Sequence, residues 1–444
     1  MSTQMHLSEF KYHFTINGSP SFDTDWNRLS DNDFNERPER ANDLMGIEEC
    51  GPVWAQDLWR VAKAVYLADR QSRRATAADK WTRTIRLSIE VNQPNLWKQQ
   101  SCADLASVLQ LLTGDRWVLE THSGASVAQT LFGLPEATEV ALFSGGLDST
   151  AFAAQRASRL GEHDHALFVA YEQSLKTHQE EIFRDIDDLA RANPSHGTVR
   201  LRTARLSPKG KRLDSTNRSR SFLFIATAVC VAAINRVRTV TVPENGQLAI
   251  NPALTLGRLS ACSTRSVHPW VVEMINQVIR DIGGDVAVEN PFLEHTKGDV
   301  CRLGRQSGLS WTSLHKTVSC GHPTSARAHG TAYHCGHCFP CLIRRSGLHS
   351  ALAGQGDDDS GYILDLAGID CSDPANTKAA DLRDLVHWLS RDFTVDDLIA
   401  DAPLPSHTSP RALMPVLLRG RDELKAMLTQ LLPDQDFLDT RFPS

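Results

Sequence analysis

The sequence predicts an α/β protein built around a doubly wound parallel sheet, and three observations carry the prediction. From about Thr138 onward, short apolar strands alternate with helices, the order that winds a parallel sheet with helices on both faces. One of those strands runs through Ser-Gly-Gly straight into a helix, a turn that brings backbone amides up to an anion. Four cysteines with metal-ligand spacing lie around residue 340, in a loop with little apolar material to bury. At 444 residues the chain exceeds one ordinary core, and it divides into an α/β accessory domain (1–136), the loop-bearing domain (137–350) and a helical region (351–444).

In the first unit, residues 10–16 alternate as a strand, 58–68 have helical spacing, and 84–91 (TIRLSIEV) alternate cleanly as a second strand. A helix over 103–112 is stopped by Thr113-Gly114-Asp115 before a strand at 117–121. The stretch 81–88 reads as packed sheet in preference to a partner surface. In the second unit, strands fall at 139–143, 166–171, 198–203 and 239–242, and helices at 149–160, 178–192 and 221–234. The strands are short and apolar without alternation, which suits a sheet covered on both faces. After about Ser350 the pattern is helical, over 382–389 and 413–432, with Pro403, Pro405 and Pro410 between.

Composition narrows the function. Hydrophobic residues make up 41% of the chain and charged residues 23%, ordinary proportions for a globular protein. A net charge of −6 and the lack of Lys/Arg runs make a nucleic-acid partner unexpected. The start of the chain has no basic stretch followed by an apolar one, and the longest apolar run, 222–234, is too short for a bilayer. Ten cysteines are too few for a disulfide scaffold. The expectation is a reducing, cytoplasmic location without membrane contact.

The string Ser144-Gly145-Gly146-Leu147-Asp148-Ser149 follows a buried strand and opens a helix. The two glycines let the backbone approach an anion closely, and the helix dipole favours negative charge at that point. Ser144 and Ser149 add hydroxyl donors. Asp148 repels phosphate, so it either caps the helix or holds a magnesium ion that bridges to the phosphates. The Gly-Lys-Ser/Thr ending of a Walker loop is missing, so transfer of the terminal phosphoryl group is not indicated.

Cys320, Cys335, Cys338 and Cys341 form the second constellation. A C-x-x-C-x-x-C run folds back on one tetrahedral ion, Cys320 brings a fourth thiolate, and thiolates select zinc by softness. Four sulfur ligands leave no open position, so such a zinc is structural. Free or redox-active thiols and an iron–sulfur cluster are the alternatives. His322, His329, His334 and His337 leave open that a histidine replaces one cysteine.

The loop SGGLDS resembles the PP-loop of ATP-pyrophosphatases, the adenine nucleotide alpha hydrolase-like group that cleaves ATP between its α and β phosphates. That resemblance implies that Ser144, Gly145, Gly146, Leu147, Asp148 and Ser149 cradle the pyrophosphate, and that backbone at Ala170-Tyr171 meets adenine. A PP-loop followed by this cysteine pattern resembles the 7-cyano-7-deazaguanine synthase family, QueC. Tyr171-Glu172-Gln173, His178, Arg220-Ser221, the segment PFLEHTK ending at Lys297, and Arg344-Arg345 after the last cysteine resemble further motifs of that family. The family's Tyr-Pro-Asp-Cys-Arg segment is replaced by a different one around Ser263–Trp270, and Glu172 stands for a glycine. The spacer from Cys320 to Cys335 is also longer, and the terminal regions have no counterpart. Those additions resemble the QueC-like proteins of bacterial antiphage defence, and the QatC-type members of the Qat system match the layout best.

The resemblance implies ATP, magnesium and zinc as cofactors, and adenylation of a 7-deazaguanine carboxylate followed by transfer to an amine. The extra regions point to an amine on a protein partner from the same defence operon. Synthesis of the nitrile and a non-catalytic ATP-binding assembly role are the other readings. Lys297, Arg220 and Asp148 are the candidate catalytic residues, the first two to stabilise charge at the α-phosphorus. Gln173, Glu244, Asn245, Thr264, Arg265 and His268 are candidate contacts to substrate. Glu244-Asn245-Gly246 ends the fourth strand, where such sheets bind ligands, and an ordinary turn is its alternative.

Overall fold

The computed structural model describes residues 9–16, 25–35, 51–124, 137–171, 176–195, 197–210, 212–216, 218–255, 265–322, 334–352 and 361–432. Strands β1 (Glu9–Phe14), β2 (Asn27–Leu29), β3 (Thr84–Val91) and β4 (Arg116–Ser123) form a parallel sheet in the order β2-β1-β3-β4. The stretch that alternates most cleanly in the sequence is thus an inner strand, β3. Helix α1 (Val53–Gln71) is buried at every position from Trp54 to Asp69, and α2 (Gln99–Thr113) ends on Gly114, whose φ of 73° gives the left-handed cap.

The second sheet contains β5 (Glu139–Leu142), β6 (His165–Tyr171), β7 (Thr198–Ala204), β8 (Thr239–Thr241) and β9 (Ala287–Glu289). All pairs are parallel, and the order is β7-β6-β5-β8-β9. The four expected strands are present. The sequence did not suggest β9. Side chains alternate between the faces: Val140, Leu167 and Val169 meet α5 (Arg220–Ile234), while Ala141, Phe168 and Ala170 meet α3 (Leu147–Ala157) and α4 (Lys176–Ala192).

The first unit packs directly onto this sheet. Its apolar side chains, α5 and α7 (Pro269–Asp281) share one contiguous core, which explains why α1 is buried all round. Polar contacts cross the same boundary: Trp59 Nε1 donates to Thr227 Oγ1 at 3.1 Å, and the Asp69 carboxylate accepts from Ser219 Oγ at 2.5 Å. After α6 (Gly246–Ile250), α8 (Lys297–Gln306), α9 (Trp311–Lys316) and α10 (Phe339–Ala351), the chain ends its described part in α11 (Ala380–Ser390), α12 (Val395–Asp401) and α13 (Pro410–Leu431). These last helices share a separate core with α10 and the end of α6, built on Ile250, Leu342, Leu382, Trp388 and Leu417. Among the described residues, no helix is long and apolar enough to cross a membrane.

Candidate functional site

In the second sheet the chain moves from β5 outward to β6 and β7, then returns to add β8 and β9 on the other side. Strand order therefore reverses between β5 and β8, and open parallel sheets bind ligands beyond the carboxyl ends of the strands at that point. The glycine loop lies there. Gly145 has φ +75°, and a Cβ on it would come within 2.9 Å of Gln179 Cγ, so backbone torsion and close packing both select glycine. Gly146 is the N-cap of α3, in extended conformation and without a side-chain cap. Hydrogen bonds within the loop hold its shape. Gly146 N–H donates to Ser144 Oγ at 3.1 Å, Ser149 Oγ donates to Gly146 O at 3.1 Å, and Gln179 Nε2 donates to Ser144 O at 2.9 Å.

Asp148 does not cap α3. Its side chain reaches across the reversal point to two other segments. Lys297 Nζ lies 2.8 Å from each carboxylate oxygen, and Asn245 donates to Oδ2 from its backbone N–H at 3.2 Å and from Nδ2 at 2.8 Å. Asp148 and Lys297 are both buried. Burial pushes the Asp148 carboxyl up, but the Lys297 ammonium and the hydrogen bonds from Glu244 and Asn245 outweigh it, so Asp148 sits below its ordinary value. Burial and then the neighbouring Asp148 carboxylate hold Glu244 well above its own. Asn290 fixes the Glu244 backbone, accepting from its N–H at 3.1 Å and donating to its C=O at 2.8 Å. Asn245 caps α6 by accepting from Leu248 N–H at 3.2 Å, so Asn245-Gly246 is a helix start rather than an ordinary turn.

The four cysteines meet with all four sulfurs within 4.8 Å of one another. They are buried with Tyr362 in a small cluster of their own. Backbone amides face the sulfurs: Cys335 N–H donates to Cys320 Sγ at 3.5 Å and Cys338 N–H to Cys335 Sγ at 3.4 Å, as expected around thiolates bound to a metal. This donor set fits zinc and needs no histidine, although His322 and His337 also gather on Cys335. His329 lies outside the described residues.

The cysteine loop also forms one wall of the glycine loop. Val318 N–H donates to Gly145 O at 3.1 Å, and a Cβ on Gly146 would stand 3.4 Å from Val318 O. Arg344 on α10 donates to Thr317 Oγ1 at 2.7 Å and to the carbonyls of Leu314 and His315 at 3.1 Å. Arg345 lies 3.6 Å from the centre of the Tyr362 ring. Both arginines thus hold the polypeptide around the cysteines. His178 is buried against the backbone of Lys316, on the same wall.

Other candidates fall elsewhere. Ala170 and Tyr171 end β6, buried, and the Tyr171 ring stacks on Phe224 with centroids 4.1 Å apart. The Arg220 guanidinium lies 5.4 Å from the same Phe224 ring. Tyr171, Arg220 and Phe224 line a cleft of about 250 Å³ together with Tyr66 and Arg70 of α1, apart from the Asp148–Lys297 group. Arg265 pairs with Asp401 at 2.6 Å and so ties the start of α7 to α12. His268 caps α7, accepting from Trp270 N–H at 3.3 Å. Gln173 and Thr264 lie outside the described residues. Gln179, Gln247 and Glu423 were not singled out by sequence reasoning, because an uncharged amide or one acid in a charged helix carries no motif.

Residues 267–352 match the family model described as “Queuosine biosynthesis protein QueC”. The matched segment runs from the start of α7 through Lys297 and all four cysteines to the end of α10, and it supports a QueC-like, ATP-utilising kind of enzyme. A search of curated proteins finds no match for the chain.

Proposed function

We propose that this chain is a PP-loop adenylating enzyme with a doubly wound core. It binds ATP at Ser144–Ser149, activates a 7-deazaguanine carboxylate and passes it to an amine on a partner protein of a cytoplasmic antiphage system. One observation carries the reading. Asp148 of the glycine loop and Lys297 of the QueC-matched segment, 149 positions apart in the chain, touch at 2.8 Å where a parallel sheet binds its ligands. The match and the glycine loop thus belong to one site, although the match itself begins after the loop.

The chemistry follows from the groups present. A carboxylate oxygen of the substrate attacks the α-phosphorus, the bond to the β-phosphate oxygen breaks, and pyrophosphate leaves. The partner's amine nitrogen then attacks the acyl carbon, AMP leaves and the nitrogen loses a proton. In this reading loop and first-turn amides of α3 bind the pyrophosphate, and the lack of side chains at Gly145 and Gly146 leaves room for it. Asp148 is the residue that would hold a magnesium ion, which would supply charge neutralisation for the phosphates. Lys297 is held at the same carboxylate, and in this reading its ammonium stabilises charge at the α-phosphorus. Arg220 and Tyr171 border a cleft at the end of β6 suited to a planar base. Zinc is structural in this reading.

Mass spectrometry tests it: purified protein is incubated with magnesium, ATP and 7-carboxy-7-deazaguanine, with and without ammonium and the protein encoded by a neighbouring gene. The expected result is AMP together with a deazaguanine amide on the partner, and loss of AMP by about 10²-fold or more in D148N and K297M. AMP with free 7-cyano-7-deazaguanine would move the reading to nitrile synthesis. No AMP in any mixture would leave an ATP-binding assembly subunit instead.

A further inference from the structure

The first turn of a helix exposes amides that need acceptors, and in α8 that turn carries Lys297. Three segments supply the acceptors. Asp299 N–H donates to Thr296 Oγ1 at 3.1 Å within the helix's own capping box. Lys297 N–H donates to Gln247 Oε1 of α6 at 2.8 Å, and Gly298 N–H donates to Glu423 Oε2 of α13 at 3.2 Å. Glu423 Oε1 also accepts from Thr296 Oγ1 at 2.6 Å and from Ser350 Oγ at 3.3 Å.

The capping box satisfies the Thr296 and Asp299 amides from within the helix, and Glu423 supplies the acceptor for Gly298 from outside it. Its side chain is 11% exposed and lies 3.7 Å from Arg302 Nη2, and burial pushes its carboxyl above the ordinary value against the pull of Thr296, Gly298 and Arg302. What that placement achieves is position. Gly420 and Glu423 stand three residues apart on one face of α13. A Cβ on Gly420 would lie 2.5 Å from Gln247 Nε2, and a Cβ on Gly298 only 2.3 Å from Glu423 Oε1. One helix face therefore packs against the acceptor of the Lys297 amide, Gln247, and carries the acceptor of the Gly298 amide, Glu423. α13 lies beyond the segment that matches QueC.

We propose that Glu423 is a positioning residue for Lys297: its carboxylate locks the first turn of α8, which makes the C-terminal helix a working part of the adenylating site. The proposal rests on the reading of Lys297 given under the proposed function. A carboxylate at the positive end of α8 sets where the Lys297 backbone sits, and the ammonium reaches Asp148 from that fixed base.

The test compares E423A, E423Q and E423D by steady-state AMP release and by hydrogen–deuterium exchange of the Gly298–Val300 amides. E423A is expected to lower kcat by roughly 10- to 10²-fold, the cost of a small misplacement, with KM for ATP changed less than about twofold. E423Q, which keeps an acceptor oxygen, is expected to recover most of kcat. E423D withdraws the carboxylate by one methylene, and its expected intermediate loss keeps the comparison available should E423A not fold. Faster exchange at Gly298 is expected in E423A but not in E423Q. Wild-type kcat in E423A, or in E423D where E423A does not fold, would overturn the proposal, even with a lowered melting temperature. If the wild-type protein releases no AMP, the functional reading fails separately. Exchange at Gly298 then decides the positioning role, and unchanged protection in E423A would overturn it.

Discussion

Lys297 and Asp148 are buried as a pair, and each also has neutral partners: Asn245 for the carboxylate, Gln247 for the lysine backbone. Burying two charges costs several kcal/mol per ion, and a pair is seldom more stabilising than apolar side chains of the same size. Its presence beside a glycine loop is therefore better explained by chemistry than by stability. His268 shows the opposite case, a titratable group used structurally. Burial first, and then the Arg265 guanidinium, push its imidazole from 6.5 down to about 3. Between those values the unfolded chain binds a proton that the folded protein refuses. Stability therefore falls as pH drops below 6.5, by up to about 1.4 kcal/mol per pH unit. H268N keeps an acceptor for Trp270 N–H but cannot take the proton. Its urea-unfolding free energy between pH 7 and 4 is expected to decline less steeply than that of the wild type. Equal slopes would show that the imidazole does not titrate as buried.

At the scale of elements, the β5–α3 junction and the cysteine loop support each other. The loop before Cys320 donates Val318 N–H to Gly145 O, and α10 begins at Phe339, inside the cysteine run. The cluster holds little apolar mass beyond Tyr362 and part-buried Val318, so an ion bound there would be what keeps this wall folded. The protein as purified is expected to contain about one zinc ion per chain. Chelation should speed hydrogen–deuterium exchange at Val318 and along residues 144–146 while leaving β3 protected. Unchanged exchange at Val318 after zinc is removed would separate the metal from the glycine loop. The expected zinc ligands were legible because the spacing of thiols is itself the geometry of the site. The wall was not, since Val318 contributes only a backbone amide.

For the whole molecule, the decisive feature is that the first unit has no core to itself. Trp59 is buried between the two sheets' helices, hydrogen-bonded to Thr227 and overlain by Lys63 Nζ at 4.2 Å. W59A is expected to cost about 3–5 kcal/mol, the usual loss for a buried aromatic. Both units should then lose stability together, in one calorimetric transition. Two transitions, with only the first unit's shifted, would show that the units are independent after all. Pairing of Arg265 with Asp401 and of Thr296 with Glu423 extends the same integration to the last helices. The extensions flanking the QueC-matched segment are packed against it, and that is the frame in which α13 can act on Lys297.

Local chemistry was readable from one end of the chain to the other. The strand period marked β3, short apolar runs marked β5 to β8, the glycine string marked the turn before α3, and four thiols marked their own cluster. These signals depend only on neighbours in sequence: the torsions glycine allows, the period of a strand, the reach of a C-x-x-C. The partners of those groups were not readable, because they come from contacts between distant segments. No local pattern says that Asp148 faces Lys297 instead of capping its own helix, that Arg220 turns toward Tyr171 and Phe224, or that Arg265 is held by Asp401. Those outcomes depend on which segments the parallel order β7-β6-β5-β8-β9 brings to one edge, and on a tail helix that packs close enough to reach the start of α8.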